Sequence, residues 1–151
     1  MSVPEPAPIV TALCQVLHDA GVGVYSPTDP LPADVVPIAV SGWPATHDTA
    51  VVLTTYSGSP EPDSINGWEF PRLQVRVRAT SPLDALRVER DTWRALQFTA
   101  AGPGPRDLPG GGWWLQDCYA LQSEAEPMGR DENGRWEYVR NYQLEALPNL
   151  T

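Results

Sequence analysis

The stretch PRLQVRVRAT, residues 71–80, alternates apolar and polar side chains, and SPLD, residues 81–84, follows it directly. A period of two residues is typical of a strand with one buried face, because successive side chains of a strand point to opposite sides. Ser81 is a favoured N-cap residue and Pro82 fits the first helical position, so a helix is predicted to begin where the strand ends. Leu73, Val75 and Val77 form the predicted apolar side of the strand, and Arg72, Gln74, Arg76 and Arg78 form its polar side.

The sequence predicts two amphipathic helices. The first runs from Pro6 to Ala20, where apolar residues recur at helical spacing, and Gly21 then acts as a stop signal. The second begins at Ser81 and fades by Thr99. We expect its apolar face to consist of Leu83, Leu86, Trp93 and Leu96.

The remaining strands are predicted around these helices. Ala50–Tyr56 is rich in β-branched residues, and Trp113–Leu121 and Trp136–Leu147 are expected to pair antiparallel. Val22–Tyr25 and Val35–Val40 are weaker candidates, the latter as an edge segment. On the strand that begins at Trp113, strict alternation would put Trp113, Leu115, Tyr119 and Leu121 on one face.

The predicted fold class is α+β: one twisted, mainly antiparallel sheet with two α-helices packed on one face and long Pro/Gly-rich loops. The chain has 151 residues, which is the size of one domain, and we expect a flexible N-terminal arm over residues 1–5 and a single domain over residues 6–151. Seventeen Pro and twelve Gly make long loops, above all over residues 26–49 and 100–112. No secretory signal and no membrane span are expected.

Charge is distributed unevenly along the chain. The formal net charge is −9, and all ten cations are Arg. Residues 1–71 contain eight acids and no Arg, whereas residues 72–151 contain every Arg. This balance argues against a domain that binds duplex DNA, which needs a basic surface. It fits either an assembly in which an acidic surface meets a mixed one, or a solvated acidic face.

The sequence carries no catalytic signature. HExxH, CxxC and GxSxG are absent, and the only two histidines, His18 and His47, are far apart. Paired acids such as Asp131 and Glu132 fall in polar loops, where nothing is expected to raise the pKa of one into the range of a general acid. We therefore predict a protein that is not an enzyme and has no cofactor and no metal.

The segment MGRDENGRWEYVRNYQL, residues 128–144, combines a charged loop with an aromatic strand. Loops rich in Arg and flanked by aromatic residues are typical of protein–protein contacts, although a solvated ion-pair cluster has the same composition. Together with the polar side of the strand over residues 71–80, this segment supplies the candidate interface. Its residues are Arg72, Arg76, Arg78, Arg130, Asp131, Glu132 and Arg135.

Five segments together carry a family resemblance over nearly the whole chain. They are AGVGVYSP (20–27), AVVLTTYSG (50–58), LQVRVRAT (73–80), GGWWLQDCYALQSE (111–124) and GRDENGRWEYVRNYQL (129–144). This combination resembles the tail terminator or minor capsid proteins of long-tailed, siphovirus-type bacteriophages, with GRDENGRW as its most specific part. These are patterns of turns and strands and include no catalytic motif.

The resemblance implies a structural protein of the virion. Such proteins form a ring, usually of six subunits, that caps the tail tube, ends its polymerisation and joins the tail to the head–neck connector. The implied partners are further copies of the chain, the tail tube protein and the connector or stopper protein. The implied location is the tail–neck region of the virion, after assembly in the host cytoplasm. DNA would pass through the lumen without specific binding, and acids would favour its sliding. The candidate lumen acids are Glu61, Asp63, Glu124 and Glu126.

Other functions are compatible with the same residues. A head–tail stopper or a tail tube subunit is the nearest alternative, and a tube subunit would stack into open helices rather than closed rings. A binding module encoded by a prophage belongs to a different class. An enzyme would require His18, His47 and loop acids to converge in one cavity.

Overall fold

The strand predicted from alternation over residues 71–80 is confirmed as Pro71–Ala79, with one side buried, in a computed structural model that describes residues 6–58 and 67–149. It lies between two other strands of the sheet. The predicted N-terminal arm, residues 1–5, is outside the described residues. In chain order the elements are α1 (Ile9–Asp19), β1 (Ile38–Val40), β2 (Ala50–Gly58), β3 (Pro71–Ala79), α2 (Pro82–Leu96), β4 (Arg106–Asp107), β5 (Trp113–Ala120), β6 (Glu126–Arg130) and β7 (Trp136–Pro148).

The strands form one curled sheet in the order β1-β2-β3-β7-β5-β4, and β6 also pairs with β7. Among the strand pairs that the structure describes, only β1–β2 is parallel. The long strand β7 pairs with β3 on one side and with β6 and then β5 on the other. The predicted antiparallel pairing of β5 with β7 is therefore confirmed, and so is the α+β class with one sheet and two helices.

Both helices pack on the same face of the sheet and share one hydrophobic core. Leu13 and Leu17 of α1 are fully buried against β2 and its neighbours, and α2 covers β3, β7 and β5. The predicted start of α2 is confirmed, since Ser81 Oγ accepts a hydrogen bond of 3.2 Å from the Asp84 N–H and Pro82 occupies the first turn. Neither helix has the length and hydropathy that a membrane span requires.

The buried stripe of α2 differs from the predicted one. Leu83 is 74 % exposed, so its assignment to the core face was wrong. The buried residues have the same helical spacing as the predicted ones, but they lie on a face rotated about the helix axis, because Glu89 points towards the sheet. They are Ala85, Glu89, Thr92 and Leu96.

A β-bulge changes the faces of β5. The register against β7 shifts between Leu115 and Asp117, so Gln116 is an extra residue. Residues after the bulge therefore point to the opposite face from the one that strict alternation predicts: Cys118 is buried, whereas Tyr119 is 44 % exposed. The expectation that Tyr119 and Leu121 share a face with Trp113 was wrong for this reason.

Two minor elements also differ from expectation. The charged segment between the predicted strands that begin at Trp113 and Trp136 contains β6, which forms a hairpin with β7 through a turn at Asn133-Gly134. Val22–Tyr25 is reduced to a single bridge between Val24 and Pro37. Val35–Val40 contains the predicted edge strand in its second half, as β1.

The sheet face opposite the helices is called the helix-free face here. Its residues alternate with the core residues on β2, β3, β7 and β5, and direct pairing lines them up in rows. The loop over residues 41–49 packs on one end of this face through Trp43, whose ring contacts Arg76 and Arg78. One row crosses four strands and consists of Tyr56, Arg72, Gln143 and Tyr119.

Candidate functional site

The seven predicted interface residues lie in two neighbouring parts of the molecule. Three are on the helix-free side of β3, and four are at the turn of the β6–β7 hairpin. Arg76, Arg78 and Arg135 converge around the loop over residues 41–49. Arg72 lies six residues from Arg78 along β3, which corresponds to about 20 Å at 3.3–3.4 Å per residue. The structure therefore brings most of the set together and leaves Arg72 apart.

Arg78 supports the surface from within. It is 3 % exposed, and its Nη2 donates to the carbonyl oxygens of Pro44 at 2.8 Å and His47 at 2.6 Å. Its Nε donates to the carbonyl of Asp48 at 3.2 Å, and its guanidinium lies 4.5 Å from the centre of the Trp43 ring. Burial, followed by the nearby Arg135 cation, lowers the pKa of Arg78. This almost completely buried side chain fixes the loop over residues 41–49.

Arg76 is paired inside the chain but partly accessible. Its Nη2 lies 2.7 Å from Glu137 Oε2, and about a third of the side chain is exposed. The Trp43 ring covers the guanidinium at 5.2 Å from its centroid. Arg76 can therefore meet a partner only together with Trp43 and Glu137, as one composite surface.

Asp131 holds the turn of the β6–β7 hairpin. Its Oδ1 accepts from the backbone N–H groups of Arg135 at 2.8 Å and Asn133 at 2.9 Å, and its Oδ2 accepts from Arg135 Nε at 2.8 Å. These hydrogen bonds, led by the one from the Arg135 backbone, lower the pKa of Asp131. Gly134 adopts a φ of 78°, which the turn requires and which glycine adopts without strain. The turn is therefore preorganised.

The outward charges of the hairpin belong to Arg130 and Glu132, both exposed. Arg130 lies over the Trp136 ring at 6.0 Å from its centroid, which limits its range of positions. Arg135 additionally approaches Asp48 Oδ1 at 3.8 Å and so links the hairpin to the loop over residues 41–49. The hairpin thus presents a defined pair of opposite charges on a fixed backbone.

The strand β6 leading into this turn is the most accessible strand of the sheet. All five of its residues are exposed, and Met128 has 57 % of its surface exposed. One side of β6 pairs with β7, and no strand within residues 6–58 and 67–149 pairs with its other side. Met128 is the extra residue of a bulge between Pro127 and Gly129. Sequence reasoning missed this strand, because an exposed strand has no apolar alternation.

The candidate lumen acids are only partly covered by the structure. Glu61 and Asp63 lie outside the described residues. Glu124 and Glu126 are exposed on either side of the buried Ala125, immediately before and at the start of β6.

A buried ion pair lies beneath α2 and was not predicted. Arg140 Nε is 2.7 Å from Glu89 Oε1, and Trp93 lies over the guanidinium at 5.7 Å. Burial raises the pKa of Glu89, and the Arg140 charge opposes that rise. The sequence did contain a signal, because Arg140 is in phase with the buried Tyr142 and Leu144. This pair is sealed in the core, so its role is structural.

Within the described residues, the histidine and cysteine side chains that could act in catalysis do not form a cluster. His18 Nδ1 accepts a hydrogen bond from the Tyr25 N–H at 3.0 Å, whereas His47 Nε2 forms a hydrogen bond of 2.7 Å with the Pro32 carbonyl, so the two histidines have different partners. Burial raises the pKa of the Cys14 thiol to about 12. Within residues 6–58 and 67–149, no group of three His, Cys, Asp or Glu side chains is placed to hold a metal ion.

A surface depression with a volume of about 660 Å³ lies between the ends of α1 and α2 and the segment around β4. It is open to solvent, and its charged lining consists of Asp19, Arg94, Arg106 and Asp107, with neither histidine among its lining residues. Its described lining residues include no Ser, Thr, Cys or Lys side chain that could act as a nucleophile.

No protein-family model matches this sequence, and no curated protein matches it.

Proposed function

We propose that this chain is a structural protein of a phage virion, a tail terminator whose copies close a ring of six on the end of the tail tube. The ring ends tube polymerisation and joins the tail to the head–neck connector. The observation that carries the proposal is β6, an edge strand with five exposed residues and an unpaired outer side among the described strands. An edge of this kind is a template for pairing with another chain.

The shape of this edge favours a closed assembly. Pro127 lacks an N–H donor, and the bulge at Met128 interrupts the ladder, so only a short stretch is available for pairing. Short, interrupted edges resist open-ended aggregation. The preorganised charges of Arg130 and Glu132, next to this stretch, would fix the register of a neighbouring copy.

The charge of the chain supports a role around DNA without binding to it. A net charge of −9 per copy repels a duplex that passes through the ring. In this proposal Glu124 and Glu126 face the lumen, since both are exposed and precede the edge that contacts the neighbour. The tail tube protein binds one end of the ring and the connector or stopper protein the other, and the assembled ring lies in the tail–neck region of the virion.

The test is electron microscopy of the purified chain, alone and after mixing with the tail tube protein of the same phage. We expect closed rings, and tubes that stop growing when the chain is added. Met128→Asp should abolish the rings, whereas Leu83→Asp should not, because Leu83 is equally apolar and even more exposed but lies on α2. Long tubes formed by the chain alone would instead identify a tube subunit.

Rings that bind the connector but leave tube growth unchanged would identify a stopper. A chain that remains monomeric with and without the tube protein would contradict the proposal and favour a binding module.

A further inference from the structure

The helix-free face is rich in aromatic residues at the end that the loop over residues 41–49 leaves open. Tyr56 and Tyr119 are 38 % and 44 % exposed, and they stand at the two ends of one row across four strands. Trp114 is half-buried and lies on the same face, since it pairs with Leu147 of β7. All three side chains retain exposed surface on this face in the described structure. Tyrosine and tryptophan in such a position are typical of the centre of a protein–protein contact.

The segment before β3 extends this aromatic surface. Glu69 exchanges two backbone hydrogen bonds with Ala146, of 2.8 and 2.9 Å, so residues 68–70 run beside β7. Ala146 faces the core, and alternation therefore puts Trp68 and Phe70 on the helix-free side. We call the following set the open patch: Tyr56, Trp68, Phe70, Arg72, Trp114 and Tyr119.

The charges of the open patch and its rim have no ion-pair partners among residues 6–58 and 67–149 of the same copy. Arg72 donates from Nε to Gln143 Oε1 at 3.2 Å but forms no ion pair with any described residue. Asp117 stands directly opposite Glu145 in the β5–β7 ladder, and like charges in this position repel. The carboxylates of Asp117 and Glu145 have no described cation within ion-pair distance either.

We propose that the open patches of two copies dock face to face. In this contact Arg72 of each copy meets the Asp117–Glu145 pair of the other, and the aromatic side chains of both copies pack between the two sheets. The arrangement is isologous, because the same surface supplies the cation and the acids on both sides. The Arg72 cation reduces the repulsion between Asp117 and Glu145 of the other copy, and these acids neutralise its charge. A neutral partner surface would do neither.

The size of the patch sets the strength of the contact. Four strands about 4.8 Å apart and about five residues of strand at 3.3 Å each give roughly 400 Å² per copy once side-chain overhang is included. The total of roughly 800 Å² is below the usual range of about 1,200–2,000 Å² for stable complexes. We therefore expect a weak dimer, with a dissociation constant of about micromolar to millimolar size.

This contact is separate from the β6 edge and does not depend on the proposed virion function. A twofold contact is closed and gives dimers alone, whereas a ring needs two unlike surfaces on each copy. The two contacts can therefore be tested independently in the same purified protein.

The experiment is sedimentation analysis of the full chain over a wide concentration range. Wild type should pass from monomer to dimer. Arg72→Glu should weaken dimerisation by about tenfold or more, since it brings three acids together, and Glu145→Arg should do the same by opposing two arginines. An equimolar mixture of the two variants should dimerise again, because each heterodimer contains one native and one reversed ion-pair contact.

Arg87→Glu is the matched control, because Arg87 has 71 % of its side chain exposed and lies on α2, away from the open patch. This variant should dimerise like wild type. Tyr119→Ala provides a second, uncharged variant, and we expect it to weaken the dimer as well. Circular dichroism checks that each variant is folded.

A wild-type chain that stays monomeric at the highest concentrations would overturn the inference. So would variants that dimerise like wild type, or a mixture that fails to recover. Assemblies of six copies that are insensitive to Arg72→Glu would overturn this inference while supporting the proposed ring.

Discussion

Arg140 of β7 and Glu89 of α2 face each other inside the core, with Nε 2.7 Å from Oε1 and Nη2 donating to Oε2 at 3.1 Å. Both side chains are almost completely buried, at 2 % and 5 % exposure. The pair ties the middle of α2 to the sheet and fixes the rotation of the helix about its axis. That rotation explains why Leu83, and not Glu89, is turned to solvent.

Removal of one partner of this pair should be costly. Arg140→Met leaves the Glu89 carboxylate buried without a cation, and we expect a loss of about 3–5 kcal/mol in the free energy of unfolding. The double variant Arg140→Met with Glu89→Leu should recover most of that loss, because apolar side chains of similar size need no partner. Denaturant unfolding measures all of these values. A double variant less stable than Arg140→Met would show that the cost arises from packing alone.

Acid should loosen the β6–β7 turn through Asp131. The pKa of this carboxyl lies below its ordinary value of 3.8, mainly because the Arg135 backbone N–H donates to the carboxylate. A lowered pKa in the folded state means that the stabilisation is complete above about pH 3.8 and is lost as the pH falls through the folded-state value. The stability difference between wild type and Asp131→Asn should therefore shrink in that window.

A titration of the Asp131 carboxyl by nuclear magnetic resonance measures the pKa directly. A midpoint at or above 3.8 would contradict this account of the turn.

Arg78→Lys should release the loop over residues 41–49. A lysine ammonium cannot reproduce the planar fork that donates to the Pro44, His47 and Asp48 carbonyls or stack on Trp43 in the same way. We expect a loss of roughly 1–3 kcal/mol and faster hydrogen exchange in that loop. Arg72→Lys is the matched control on the exposed end of the same strand. In this variant the amides of the loop over residues 41–49 should exchange as in wild type. Equal exchange in both variants would show that the loop does not depend on Arg78.

Much of the fold follows from local sequence signals. The alternation in β3 and the Ser81-Pro82 cap each act over a few residues, so a single sequence contains all the information that they need. The antiparallel pairing of β5 with β7 followed from two long strands of matching pattern.

The predictions fail where contacts between residues that are far apart in sequence determine the structure. The bulge at Gln116 adds one residue to β5 and reverses the faces of Tyr119 and Leu121, and its position is set by the register against β7. Likewise, Glu89 is buried because a cation 51 residues later lies beneath it. The strand β6 exists only through its pairing with β7, since its own exposed residues carry no strand period.

The candidate interface was predictable as a region but not residue by residue. Composition indicated the arginines of β3 and the charged hairpin. Four of the seven candidate interface residues form hydrogen bonds or ion pairs within the chain: Arg76, Arg78, Asp131 and Arg135. Arg72, Arg130 and Glu132 are the members whose exposure leaves them accessible. Local patterns do not reveal this division, because each partner comes from another element.

The attachment of the loop over residues 41–49 to Arg78 also sets an order of events during synthesis. Arg78, whose guanidinium donates to the carbonyl oxygens of Pro44 and Asp48, is translated 34 and 30 residues after them. A nascent chain that ends before β3 lacks both that guanidinium and the antiparallel partner of β2. The acidic first half of the polypeptide therefore remains without its anchoring cations until the second half has left the ribosome.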